Sequence, residues 1–464
     1  PGLYLQMLRP APDTTTSTRL TPIELLLKYD KPVPRYTSYP TAGAFSSAVG
    51  NAQLKAQLAE PCSEPLSLYV HVPFCRHACW YCGCNRVTTQ LGSKVVAPYL
   101  AALAQELQLV TAAMPQRRAL AQLHLGGGTP NYLNDAEMAT LWGLIEQHFD
   151  LAPQLEASIE LNPEFVSRDQ AMELHRLGFN RISFGIQDAD PEVQKAVNRV
   201  VPVDQLRRVM AWLREADFDS INVDLICGLP LQTISRFQAT LDLVCKLGPD
   251  RISMFSFAYL PEQLPLQRKI EAADLPSPRE RLAMLQVARD QFCANGYEAI
   301  GLDHYALHGD SLAEAARAGT LHRNFQGYTT GGDLDLLGVG PTAISQFPGL
   351  FSQNHRDLKA YYQALGSGCL PTERGLVVDD PDLLERRSLI KQVMCQFQVD
   401  LPLHRYPQEW LDLQALARDG LVNLRESKGI GTASVTPEGR WLLRSIAAVL
   451  DPLQRQQARG SRLI

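Results

Sequence analysis

Between Ser67 and Phe257 the chain alternates two rhythms. Short apolar runs rich in β-branched residues recur: "SLYVHV" (67–72), "AQLHL" (121–125), "ASIEL" (157–161), "RISFGI" (181–186), "SINVDLI" (220–226) and "RISMFSF" (251–257). Between them lie stretches such as "PYLAALAQELQLVTAAM" and "DQLRRVMAWLREAD", with apolar residues three and four apart. The first pattern suits strands and the second gathers its apolar side chains on one helix face. Six such units in a row predict a parallel sheet wound by right-handed crossovers. A doubly wound sheet would share that alternation, so the ends of the runs decide. Polar and glycine-rich segments follow each one: a cysteine loop, "GGGTP", "NPE", "QDAD", "CGLP" and "AYLP". Turn chemistry explains any single segment, but six together match the C-terminal face of a barrel, where its site lies. The expected fold is α/β, a partial (β/α)6 TIM-like barrel over residues 56–360.

The flanks read differently. Residues 1–55 are rich in Pro, Thr and Ser and include "PRYTSYPTAGAF", which predicts an extended N-terminal arm because prolines interrupt helices. The opening "PGLYLQ" reads as a remnant, with Met7 as a plausible native start. Over 361–464, "DPDLLERRSLIKQVMCQF" reads as an amphipathic helix, and the segment from Leu411 to Leu450 as helix, hairpin and final helix. This is a mostly helical, winged-helix-like C-terminal domain, expected to act as a lid or packing unit.

Composition changes little in this picture. With 45% hydrophobic and 20% charged residues and a net charge of −5, the chain is an ordinary globular one with no bulk attraction for nucleic acid or anionic membrane. No run approaches the roughly 20 apolar residues of a membrane span, and the cytoplasm is the expected location. No exposed heptad seam argues for assembly. Six of the ten cysteines are scattered and read as small buried hydrophobes.

The other four are not scattered. "CRHACWYCGCN" places Cys75, Cys79, Cys82 and Cys84 at C-x3-C-x2-C-x-C. A structural zinc site usually takes two separated ligand pairs, and no second pair is present. A thioredoxin-type pair would leave two cysteines unexplained. A [4Fe–4S] cluster on Cys75, Cys79 and Cys82, with its fourth iron open, fits better.

C-x3-C-x2-C after the first strand, with Tyr81 before the third cysteine and "GGGTP" after the second strand, resembles the radical S-adenosylmethionine superfamily. The resemblance extends through "PRYTSYPTA", "YVHVPFC", "CGCN", "LHLGGGTP", "FNRISFGIQD", "VNR", "DLICGLP", "DLPSPRERL", "LHRNFQGYTT" and "TAIS". These segments, spread over about residues 20 to 460, are similar to the oxygen-independent coproporphyrinogen III oxidase (dehydrogenase) family. The resemblance implies the radical SAM type of barrel, a [4Fe–4S] cluster and two molecules of S-adenosyl-L-methionine. It also implies coproporphyrinogen III as substrate, with two propionates oxidatively decarboxylated to vinyl groups. It suggests a monomer, in line with the missing heptad seam, and it does not identify the electron donor and acceptor. Two alternatives stay open: a heme-binding chaperone on the same fold, and a paralogous radical enzyme acting on another tetrapyrrole. Cys84 and the arm favour the oxidase over the chaperone.

Residue by residue, the resemblance assigns Tyr69 and His71 to substrate and cluster, Gly127, Gly128 and Thr129 to the methionine part of the cofactor, and Glu160 to its ribose. Gln187, Arg199 and Asp224 match positions for a second cofactor molecule, with Tyr69, Tyr81, Ala258 and Ile344 adding cofactor contacts. Arg35, Arg323 and Gln326 are weaker candidates for the remaining propionates. Blander readings compete: a satisfied core histidine at 71, a tight turn at the glycines, a helix-surface arginine at 199. Asn162, Glu164, Cys227 and Tyr259 depart from the family pattern and bear on which porphyrinogen is accepted.

Overall fold

The computed structural model describes residues 21–332 and 334–456. The six runs form strands β1 (Leu66–Val72), β2 (Ala119–Gly127), β3 (Asp150–Leu161), β4 (Arg181–Gln187), β5 (Ser220–Cys227) and β6 (Arg251–Ser256), paired in parallel in chain order. Helices α1 (Ser93–Ala113), α2 (Asp135–His148), α3 (Arg168–Leu177), α4 (Val203–Glu215) and α5 (Ile234–Leu247) make the crossovers, and α6 (Pro278–Ala294) follows β6.

Period-two alternation sorts the strands into two faces. Leu66, Leu68, Val70 and Val72 of β1, Leu123 and Leu125 of β2, and Ile252 and Met254 of β6 join the helices in one core. Each such side chain contributes about 1.5–3 kcal/mol when fully buried. The opposite face is polar: Gln122, His124, Ser158, Glu160, Ser183, Asn222, Asp224 and Ser253 line the lumen. Barrels of this class usually fill that space with branched apolar residues, so a polar lumen signals solvent or ligand.

The sheet continues beyond the expected six strands. On one side β6 pairs antiparallel with β7 (His304–Leu307). A separate hairpin, β8 (His322–Asn324) and β9 (Gly327–Thr329), comes next in the chain. On the other side β10 (Asp335–Val339) lies parallel to β1, followed antiparallel by β11 (Ile344–Gln346), β12 (Leu350–Asn354) and β13 (Thr372–Val377). The end strands, Thr372–Val377 and Tyr297–Ala299, do not pair, so the barrel stays partial. The added strands are short and mostly antiparallel, and no strand–helix rhythm announces them.

The structure shifts both expected boundaries. Position 360 falls inside the helix Leu358–Gly366, and β13 belongs to the main sheet, so the C-terminal unit starts at α7 (Pro381–Gln396). Strand pairing, invisible to local pattern, draws that line. The unit adds β14 (Gln398–Pro402), α8 (Pro407–Arg418), β15 (Val422–Ser427) and β16 (Ile430–Val435), its three strands forming one antiparallel sheet. The arm is not wholly extended. It contains the helix Pro22–Tyr29, whose proline sits at the start where its missing N–H costs nothing, and the helix Asn51–Leu58 begins before residue 55. Leu25, Leu26, Tyr36 and Tyr39 of the arm share a second core with α7, α8 and the 300–328 region. "PGLYLQ" and Met7 lie outside the described residues.

One described helix, α1, is long and apolar enough to cross a membrane, but Val96, Tyr99, Leu103, Leu107 and Val110 pack it against the sheet.

Candidate functional site

The C-terminal ends of β1 to β5 surround a hollow of about 950 Å³, partly open to solvent. Cys75, Cys79 and Cys82 line it, together with Tyr81, Gly127, Gly128, Thr129, Glu160, Gln187, Arg199 and Asp224. Eleven of the fifteen expected positions therefore converge on one space. Tyr69, His71, Ala258 and Ile344 do not line it. Ala258 gives its carbonyl to Gln267, and Ile344 packs beside Phe45, Phe325 and Phe351.

The cysteine loop leaves β1 and is tied from within. Arg86 donates from Nη1 to the carbonyls of Cys82 (3.3 Å) and Cys84 (3.2 Å), and from Nη2 to that of Cys79 (3.3 Å). A guanidinium fork suits this task, because its planar donors reach several acceptors at once. Sequence reasoning missed Arg86, although its place directly after "CGCN" was a usable signal.

The donor set fits a cluster. Cys75 and Cys79 are 7% and 8% exposed and Cys82 is half-buried, so the thiols face the hollow and not bulk water. Donors already surround the sulfurs: Thr129 Oγ1 lies 3.3 Å from Cys75 Sγ, Cys84 N–H 3.4 Å from Cys82 Sγ, and Arg199 Nη1 3.9 Å from Cys79 Sγ. Such hydrogen bonds tune iron–sulfur centres. Burial pushes the Cys75 thiol up to about 11, and the charges of Cys82 and Cys79 add to that. Among the described residues no three His, Cys, Asp or Glu side chains form a group able to hold a single ion. A four-iron cluster needs its thiolates further apart than one ion does.

Glu160 occupies the centre. Burial opposes its charge, yet His124 Nε2 (3.2 Å) and the Gly127 N–H (3.3 Å) hold its carboxyl below the ordinary value. Its side chain is 45% exposed because it faces the hollow. His124, another residue missed from sequence, is oriented in turn by Ser158 at 2.5 Å. Its position two residues before the glycine run, on the lumen face of β2, was the available signal. Asp224, across the lumen, is pushed up to about 7 by burial and then by the Glu160 charge, against hydrogen bonds from Asn222 (2.8 Å) and Ser183 (3.2 Å).

The glycines answer to packing before any ligand. A Cβ at Gly127 would lie 2.5 Å from the His71 ring, at a φ of +109°, and one at Gly128 would lie 2.8 Å from the backbone of Pro73 and Phe74. Gln187 adopts φ +66° at the end of β4, a conformation uncommon for a non-glycine residue and concentrated at functional sites. Arg199 is 8% exposed, which replaces the helix-surface reading. Its Nη2 donates to the Gly185 carbonyl at 3.1 Å, and its buried Nε has no acceptor among the described residues.

His71 is 5% exposed, and its two ring nitrogens are both engaged. Nε2 donates to the Asn85 carbonyl at 3.0 Å, which leaves Nδ1 to accept from Tyr69 Oη, also at 3.0 Å. Burial lowers its pKa, so the ring is neutral. The ring thus lies under Gly127 and beside the cysteine loop, with both nitrogens engaged.

The departing residues divide. Asn162 lines the hollow and exchanges hydrogen bonds with Asn131, while Glu164 Oε2 lies 3.4 Å from His77 Nε2. Cys227 is 1% exposed and packed in the core, and Tyr259 donates to the Ile270 carbonyl. Arg35 pairs with Asp303 and lies 5.3 Å over the ring of Phe255, which lines the cysteine hollow. Arg323 lines a different hollow, and Gln326 lines the lumen.

Residues 69–244 match the radical SAM superfamily model. The chain is 45% identical over 444 residues to an oxygen-independent coproporphyrinogen III oxidase from Synechocystis sp., covering 92% of this chain and 94% of that one. It is 43% identical over 447 residues to the Escherichia coli protein of the same name, covering 94% and 96%. The solved structure of coproporphyrinogen III oxidase from Escherichia coli, described as a radical SAM enzyme, superposes with a TM-score of 0.86 at 41% identity, covering 90% of this chain and 97% of that one.

Proposed function

The chain belongs to the oxygen-independent coproporphyrinogen III oxidase family of radical SAM enzymes, and from that premise we propose how its own residues serve the oxidative decarboxylation of coproporphyrinogen III to protoporphyrinogen IX. The observation that carries the reading is the convergence of three thiols, Glu160 and the "GGT" turn on one hollow at the mouth of a polar lumen. Cys75, Cys79 and Cys82 hold the [4Fe–4S] cluster. With S-adenosyl-L-methionine bound, the cluster supplies a 5′-deoxyadenosyl radical able to take a hydrogen atom from a propionate β-carbon.

The remaining work belongs to position and exclusion, because such a radical attacks most C–H bonds it meets. Glu160 accepts the ribose hydroxyls of the cofactor, and the backbone of Gly127, Gly128 and Thr129 receives its methionine part. Gln187, Arg199 and Asp224 receive a second cofactor molecule, with Tyr81, Ala258 and Ile344 at the margins. The free Nε of Arg199 suits a carboxylate. Tyr69 and His71 act by position, bracing the cysteine loop against the glycine turn. Each propionate loses a hydrogen atom, carbon dioxide and one electron to become a vinyl group, so an electron donor to the cluster and an acceptor from the substrate are further partners. The chain works as a monomer in the reducing cytoplasm, where its thiols stay reduced, without nucleic acid or membrane.

The test is anaerobic. The protein reconstituted with iron and sulfide receives dithionite, S-adenosyl-L-methionine and coproporphyrinogen III, and mass spectrometry follows 5′-deoxyadenosine and a product lighter by two formic-acid units. Both are expected. Deoxyadenosine without that product would overturn the substrate, and neither from a cluster-loaded protein would overturn the activity.

A further inference from the structure

A second hollow, about 970 Å³ and partly open to solvent, lies at the other end of β1. Register partners Leu336, Ser67 and Gln122, on β10, β1 and β2, form its floor. Ser67 precedes Val72 by five residues, about 16 Å along the strand at roughly 3.3 Å per residue, so this space is separate from the cysteine loop. The hairpin stands between hollow and lumen: Tyr328 and Thr329 of β9 line the lumen, whereas His322, Arg323 and Asn324 of β8 line the second hollow.

Its polar groups are unfinished. Among the described residues, Arg323 Nε and Nη1, Ser67 Oγ and Gln346 Oε1 are buried without a hydrogen-bond partner, four such atoms around one space. Buried groups of this kind are normally paired, and leaving one unmade costs about 1–3 kcal/mol. The Arg323 guanidinium is held over the Tyr328 ring at 4.5 Å. Asp303 feels its charge but gives its own oxygens to Arg35 and His304. Asp335, also in the lining, is bonded to Arg118 at 2.7 Å. Arg387 and Lys391 of α7 face the space from the opposite wall, and Leu334, Phe347 and Leu384 supply apolar surface.

We propose that this hollow is a second binding site, for a molecule with an apolar body and carboxylate groups, its carboxylate received by Arg323 and Ser67. Arg323 Nε–H and Nη1–H leave different edges of the planar group, so each can give a single charge-assisted hydrogen bond to a carboxylate oxygen, with the Ser67 hydroxyl to donate to the other. The choice of a propionate-bearing tetrapyrrole as occupant rests on the proposed function; the donor geometry does not.

Hydrogen exchange on the full-length, cluster-loaded protein tests it, with mesoporphyrin IX as the probe. Protection of residues 322–332 and 381–396 is expected, and the dimethyl ester should need at least tenfold more ligand to produce it. Arg323→Gln should weaken the effect of the free acid about tenfold. Because that variant also loses its stacking on Tyr328, the acid-against-ester comparison on the unaltered protein stands as an independent check. Protection confined to the cysteine mouth, equal protection by acid and ester, or no protection at all would overturn the proposal. The test reads binding alone, so it is independent of whether deoxyadenosine and a decarboxylated product form.

Discussion

Glu106 in the helix layer and Glu160 at a strand end are both carboxylates drawn away from bulk solvent, and they are treated in opposite ways. Glu106, on α1, is 1% exposed, and its two oxygens take the Gly340 N–H (2.8 Å), Asn354 Nδ2 (2.6 Å) and Tyr361 Oη (2.5 Å). It ties the helix layer to β10, β12 and the helix after them. Glu160 has two donors, one of them long, and an oxygen-lined face left toward a hollow. A completed hydrogen-bond shell marks a residue that serves the fold. An incomplete one facing a hollow leaves acceptor capacity for a ligand. The same contrast separates Asn131, fully engaged with Asn162, from Arg199 with its spare N–H.

The largest expected effect lies on the ligand side. Cys79→Ala should abolish the cluster's visible absorption and turnover together while leaving the fold; a variant retaining both signals would remove Cys79 from the ligand set. On the fold side, Glu106→Ala strands three donors in the interior and should cost about 3 kcal/mol or more, read as a fall in the denaturation midpoint. Glu160→Gln should leave that midpoint within about 1 kcal/mol and weaken cofactor binding about tenfold, or about 1.4 kcal/mol, by titration calorimetry. Equal stability losses at the two sites would erase the distinction. Arg86→Ala tests an intermediate case, a residue that shapes the ligand loop without facing the ligand. It should speed loss of the cluster to chelator about tenfold, with little change in far-ultraviolet circular dichroism.

The smallest effect is a pH slope. Burial raises the Glu106 carboxyl from an ordinary 4.5 to about 7, against the hydrogen bonds of Tyr361, Gly340 and Asn354. The folded state therefore holds a proton that the unfolded chain releases earlier. Stability from this group is complete below about pH 4.5 and falls as pH rises toward 7. Glu106→Gln, which cannot titrate, should flatten that part of the stability profile; an unchanged slope would assign it elsewhere.

Local order made half of this readable in advance. The six parallel strands and their helices were legible because each run carries its own periodicity, and the three cysteines because ligand spacing within one loop is a property of contiguous chain. That Glu160 and the glycine turn meet at one hollow was legible through resemblance and by their lying at strand ends. The outer strands from Asp335 to Val377 were not, since short antiparallel pieces take their identity from partners and not from pattern.

What the sequence determined alone was the strand–helix rhythm, the thiol loop and the side of the sheet on which chemistry collects. Tertiary structure decided which polar residues are finished and which are open. Asn85 and Tyr69 take both nitrogens of His71, and the hairpin turns Arg323 to a hollow other than the one the cysteines line. Hydrogen-bond satisfaction depends on partners tens or hundreds of residues away, and no local pattern encodes whether those partners arrive.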